Sequence, residues 1–126
     1  MRAVDTNILV RLITRDDPRQ LASAEAFIAR GAWVSTLVLA ETSWVLGTVY
    51  ELAHGEIATV VEMLLSHEHL SLQDAEVVSA ALEQYRTVPA LGFTDCLVLE
   101  IARKAGHLPV GTFDRRLSRV EGAERL

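Results

Sequence analysis

The chain has 126 residues, half of them hydrophobic, and a formal net charge of −5. That fits a single domain spanning residues 1–126 with one sizeable core. The acidic balance gives no overall basic surface of the kind phosphate binders carry, although net charge alone does not say where charges lie. No apolar run reaches the ~18 to 20 residues that cross a membrane. Arg2 and Asp5 interrupt the N-terminal segment, which therefore does not read as a signal peptide. Cys96 is the one cysteine, which excludes an internal disulfide and suits a reducing cytosol.

Short apolar runs alternate with longer helical patterns, without repeats, low-complexity tracts or linkers. Arg2 to Asp5 reads as a first strand and Thr6 to about Ile13 as a short helix. Asp16 or Asp17 caps the next helix, with Pro18 in its first turn and Gly31 at its end. Leu21, Ala24, Phe27 and Ile28 give that helix an apolar face. Ala32 to Ser35 is a second strand, Thr36 to about Val49 a helix, Gly55 to Leu65 another, and Leu70 to Leu72 a brief strand. Asp74 can cap a helix running to Tyr85, with Val77, Val78, Ala81 and Leu82 inward, and Pro89 breaks the chain. Thr94 can cap a helix ending at Gly106. Pro109 to Thr112 is a fourth strand, a helical turn follows Asp114, and Ala123 to Leu126 adds an edge strand. This alternation predicts an α/β fold in which helices cover both faces of a short parallel central sheet, a three-layer α/β/α sandwich. Ligands of such sheets bind beyond the carboxyl ends of the strands.

Four acids fall where the pattern leaves little room for charge. Asp5 ends the first strand, and Asp114 stands two residues past Thr112 at the end of the fourth. Glu41 lies in "STLVLAETSWVLG", sharing a helix face with Leu37, Trp44 and Val45. Asp95 is in the first turn of its helix, with Val98, Leu99 and Ala102 on its face. Taken singly, Asp5 can cap a helix, Asp114 can start a turn, and Asp95 can favour a helix N-terminus. Glu41 has no cap to serve. Together, four converging carboxylates repel one another unless a cation joins them. All the donors are oxygens, which selects a hard ion, Mg²⁺ or Mn²⁺. His67 and His69 lack the companions a zinc site needs and read as loop residues. Asn7 and Thr112 can hydrogen-bond the ligand carboxylates, or can serve local turns instead.

The segments "VDTNILVRL", "STLVLAETSWVL", "FTDCLVLEIARKAG" and "VGTFDRRL", in that order and spacing, resemble PIN-domain ribonucleases, and most closely the toxins of VapBC-type toxin–antitoxin pairs. The resemblance covers essentially the whole chain. It implies a Mg²⁺- or Mn²⁺-dependent endoribonuclease with Asp5, Glu41, Asp95 and Asp114 as the acidic quartet. It also implies a homodimer, and a cognate antitoxin whose C-terminal segment lies over the acidic pocket. One departure stands out: many relatives have another Asp where this chain has Gly92, which leaves one or two ions open. On this reading Asp5, Asp95 and Asp114 hold the principal ion, Glu41 assists with water or a second ion, and the products carry 5′-phosphate and 3′-hydroxyl ends. The four acids then account for most of the −5, and Arg11, Arg115 and Arg116 are candidates for phosphate contacts, against a plain solvated basic face.

Other classes fit less well. A haloacid-dehalogenase-like phosphatase wants an Asp where Asn7 stands, and a response-regulator receiver wants an acid ending its third strand and a Lys ending its fifth, whereas Lys104 falls in a helix. Cys96 in an apolar helix reads as core rather than as a nucleophile paired with His107. Trp33, Trp44 and Tyr50 read as core residues. A housekeeping RNA-processing nuclease, and a non-catalytic interaction module that kept the fold, remain as alternatives to the toxin.

Overall fold

Each of the first helices begins where a short polar side chain can satisfy an otherwise open backbone N–H. The computed structural model describes all residues, Met1–Leu126, and divides them into two compact units, Met1–Ala75 and Glu76–Leu126. In the first unit Asp5 caps α1 (Thr6–Thr14), accepting from the Ile8 N–H at 3.2 Å. Asp17 caps α2 (Pro18–Ile28) and Ser35 caps α3 (Thr36–Thr48) in the same way, at 3.0 and 3.1 Å. Pro18 opens α2, where its missing N–H costs nothing. A fourth helix, α4 (His54–Ser66), completes the set.

The strands of this unit are short: β1 (Arg2–Ala3), β2 (Ala32–Val34) and β3 (Leu70–Leu72). They form one parallel sheet in the order β1-β2-β3, with Arg2 beside Ala32 and Ala32 beside Leu70. Backbone bonds from Val4 to Trp33 and from Gln73 to Val34 extend the pairing past the strand ends. Leu9, Val34, Leu39, Leu46, Val61 and Leu64 are essentially sealed from solvent. Truncating any of these leucines to alanine costs about 2–5 kcal/mol.

The second unit holds α5 (Ala75–Thr87), which starts at the boundary, and α6 (Phe93–Ala105). It then runs through β4 (Val110–Thr112), a 3₁₀ turn at Leu117–Arg119 and β5 (Ala123–Arg125). β4 and β5 pair in parallel, Val110 beside Ala123. Tyr85 and Phe93 meet edge to face at 5.6 Å between ring centres. Gly106 ends α6 in the left-handed region, φ +83°, donating its N–H to the carbonyl of Ala102. Glu100 is buried and takes Arg103 Nε on both carboxylate oxygens at 3.3 Å, while Arg103 also donates to the Glu121 carbonyl at 2.7 Å.

The predicted alternation is therefore observed: six helices among short parallel strands make an α/β fold. The strands hydrogen-bond as two separate sheets rather than as one. Gly92, not Thr94, is the N-cap of α6, because the chain turns helical two residues earlier than the Thr signal implied. No helix is long and apolar enough to cross a membrane.

Candidate active site

In the first unit the chain leaves buried Val4 and turns into α1 at Asp5, whose carboxylate is exposed. One oxygen of Asp5 holds the helix N-terminus through Ile8. The next residue, Thr6, is buried, and its hydroxyl donates to Oε1 of Glu41 on α3. The α1 start and the middle of α3 are thus tied, and Asp5 immediately precedes the residue that anchors Glu41. Thr6 was not singled out from the sequence. Its only signal was its place directly after the capping acid.

Glu41 does not lie on the face that packs inward. That face of α3 is made by Leu39, Thr42, Ser43 and Leu46, with the Thr42 and Ser43 hydroxyls donating to the carbonyls of Val38 and Ala40. Leu37 and Trp44, which share the Glu41 face, are 77% and 62% exposed. The expectation of Glu41 embedded among packed apolar side chains is corrected: its neighbours are apolar but face solvent. The expectation of core tryptophans is corrected with it, because Trp33 is also 38% exposed. Tyr50 is half-buried and its hydroxyl lies within 3.2 Å of Arg11 Nη1.

In the second unit Asp95 sits in the first turn of α6, half-buried. Burial first, and then the charge of Asp114, push its carboxyl above the ordinary range, against a hydrogen bond from the Gly92 backbone and the nearby Arg116. Asp114 behaves oppositely. Its Oδ1 accepts from the backbone N–H groups of Arg116 at 2.7 Å and Leu117 at 3.0 Å. The Leu117 and Arg116 bonds hold its carboxyl below the ordinary range. Thr112 serves the turn: its hydroxyl oxygen accepts from the Asp114 N–H at 3.0 Å. A Cβ placed on Gly92 would stand 3.6 Å from Oδ2 of Asp95, so this position adjoins the acid directly. Cys96, next along, is fully buried, and burial pushes its thiol up to about 12, which leaves it an inert core residue.

The first unit thus holds Asp5 and Glu41, linked through Thr6, the second holds Asp95 beside Asp114, and neither gathers three or more His, Cys, Asp or Glu side chains into one cluster. The donor chemistry nevertheless fits a hard divalent cation. Every donor is a carboxylate oxygen, and the Asp95–Asp114 repulsion is the kind a cation relieves. The arginines are committed to different degrees. Arg11 bonds Gln20, Asp16 at 3.1 Å and the Tyr50 hydroxyl. Arg116 reaches the Ala90 carbonyl at 3.2 Å. Arg115 is exposed. Asn7 is exposed beside Asp5.

The PIN domain family model matches residues 2–123. The chain belongs to the PIN domain family. No curated protein and no solved structure matches it. PIN domains are generally metal-dependent nucleases that bind divalent ions, so nuclease chemistry is the activity that membership carries. The matched span includes Asp5, Glu41, Asp95 and Asp114.

Proposed function

We propose that this PIN domain is a Mg²⁺- or Mn²⁺-dependent endoribonuclease, and that it acts in the cytosol as the toxin of a type II toxin–antitoxin pair. The observation that carries the catalytic part is the PIN family match over residues 2–123, a span that includes all four acids, and the state of Asp95 supports it. Its carboxyl is driven upward by burial and by Asp114, within a chain whose family generally performs metal-dependent nuclease chemistry. A divalent ion, when bound, acts as a Lewis acid and lowers the pKa of its water. Asp5, Asp95 and Asp114 are the residues assigned to hold it, and one or two ions can be served. Thr6 orients Glu41 by donating to it, which leaves the second Glu41 oxygen for water or a further ion. The backbone bonds on Asp114 keep that acid ionised near neutral pH. Arg115 and Arg116 are assigned to RNA phosphates.

The toxin assignment adds two partners, a second copy of the chain and a cognate antitoxin over the acidic pocket. Leu37 and Trp44 support the second, since they flank Glu41 with exposed apolar surface of the kind a covering partner buries.

The test incubates purified protein, free of antitoxin, with total cellular RNA in Mg²⁺, in Mn²⁺ and in EDTA, beside Asp5→Asn. Discrete cleavage that requires both metal and Asp5, leaving 5′-phosphate and 3′-hydroxyl ends, is the expected result. Ends carrying 2′,3′-cyclic phosphate overturn the mechanism. Absence of cleavage under every condition, with no heat on metal titration, moves the chain to the class of interaction modules.

A further inference from the structure

A cleft of about 490 Å³ opens between α1 and α2, with Asp5 on its rim. Asn7 and Arg11 line it from one helix, and Gln20, Ser23 and Phe27 from the other. Its floor includes Ala24, which is buried and carries only a methyl group, so the space above it is not filled from below. We propose that this cleft is a nucleobase subsite, which holds one base of the RNA next to the bond being cut. The proposal rests on the endoribonuclease reading of Asp5.

Three features select a base. The first is an aromatic wall. Phe27 lines the cleft, and the Arg2 guanidinium, which does not line it, covers one face of the ring at 3.9 Å from the centre, held there by a bond from Arg2 Nη2 to the Phe27 carbonyl at 2.9 Å, so the ring is braced from outside the cleft. An aromatic wall in an open groove is what the bases of single-stranded nucleic acid pack against. The second is an edge reader already oriented. Arg11 Nε donates to the side-chain oxygen Oε1 of Gln20, and Asp16 and Tyr50 hold Arg11 in turn. The Gln20 amide is therefore locked with its NH₂ left to donate, which suits a carbonyl or ring nitrogen on a base edge. The third is hydrogen-bonding capacity not spent within the protein. The Asn7 amide and the Ser23 hydroxyl face the same cleft and offer both donors and acceptors. A covering apolar peptide would leave these groups unpaired, at a cost, whereas a base satisfies them.

The test separates this proposal from the nuclease reading. Amide NMR of the labelled protein is followed on adding each 5′-ribonucleoside monophosphate with Mg²⁺, for wild type, Asp5→Asn and Ser23→Leu, the last placing a larger side chain in the cleft. Cleavage of total RNA is measured in parallel. Shifts confined to residues 7–8 and 20–27, present in wild type and Asp5→Asn but lost in Ser23→Leu, are expected, with preference for one base. Ser23→Leu should raise KM on the order of tenfold and relax the base preference at the cut, with kcat within about twofold. A protein that shows these shifts yet never cleaves retains the subsite and loses the nuclease reading. A protein that cleaves without shifts in these residues overturns the subsite. The subsite is equally overturned if Ser23→Leu leaves nucleotide shifts intact and instead abolishes inhibition by the antitoxin, which would give the cleft to a protein partner. Circular dichroism checks the fold of Ser23→Leu, and Gln20→Ala, on an exposed position, repeats the measurement without adding bulk.

Discussion

Asp5 and Glu41, in the first unit, are each steadied by a neighbouring donor, the Ile8 N–H and the Thr6 hydroxyl. In the second, Asp95 and Asp114 diverge: burial and Asp114 raise Asp95, while two backbone N–H groups lower Asp114. One pair is held by hydrogen bonds and the other carries an electrostatic conflict. The difference teaches where a cation gains most, since relieving a repulsion adds to binding whereas satisfied acids only lend oxygens.

The largest effects should come from breaking the second pair. Asp95→Asn and Asp114→Ala should each reduce metal-dependent cleavage at least about 100-fold, measured on a defined RNA at saturating Mg²⁺. Their stabilities should diverge. Asp95 is raised above its ordinary 3.8 in the folded state. The folded chain therefore holds that proton more tightly, and the stability this contributes is lost as pH rises through the folded value. Asp95→Asn should then melt higher than wild type at pH 7 without metal. Asp114 is lowered below 3.8, so its contribution is present above that pH and lost as pH falls through the folded value. Asp114→Ala should melt lower at pH 7 and lose its difference from wild type in acid. Equal Tm shifts of the same sign would remove the contrast between these two carboxylates.

A smaller effect should sharpen the first pair. Thr6→Val removes the hydroxyl that orients Glu41 while keeping the shape of a buried side chain. The Mg²⁺ concentration for half-maximal cleavage should rise about tenfold, and Thr6→Ser should restore it. An unchanged metal requirement would mean that Glu41 needs no positioning.

Gly92 offers a gentler perturbation. Its Cβ position is 3.6 Å from an Asp95 oxygen and its φ of −74° accepts any side chain. Gly92→Asp adds a third acid beside the conflicted pair, so it should lower Tm without metal and lower the half-saturating Mg²⁺ several-fold. Calorimetric titration reads the second effect directly. No change in either would indicate that the added acid turns to solvent.

Much of this was legible in the sequence. The caps at Asp17 and Gly106 and the strand at Leu70–Leu72 announce themselves locally, through one side chain or one backbone preference. The inward residues of α5, Val77, Val78, Ala81 and Leu82, are buried as their spacing predicts. The orientation of α3 was not legible. Leu37, Leu39, Trp44 and Leu46 put apolar side chains on every side of that helix, so periodicity cannot choose an inner face. The choice is made by Thr42 and Ser43, which bury themselves by bonding back to their own helix and look polar only on paper. The rise at Asp95 was hidden for another reason: it depends on burial and on Asp114, far off in the chain, which no spacing rule supplies. The lowering of Asp114 comes instead from the N–H groups two and three residues on, within the turn its position allows.

The smallest expected effect tests that orientation, and with it the solvent-facing position of Glu41. Leu39 is sealed in the core and Leu37, two residues earlier, is 77% exposed. Leu39→Ala should cost about 2–5 kcal/mol in chemical denaturation. Leu37→Ala and Trp44→Ala should change stability by no more than about 0.5 kcal/mol. If Leu37→Ala proves as costly as Leu39→Ala at a protein concentration where the chain is monomeric, then Leu37 packs inward and Glu41 shares a buried face with it. Should the cost of Leu37→Ala appear only at concentrations where the chain self-associates, the exposed face of α3 is instead covered by a second copy. The acids of the first unit would then lie beside a subunit boundary.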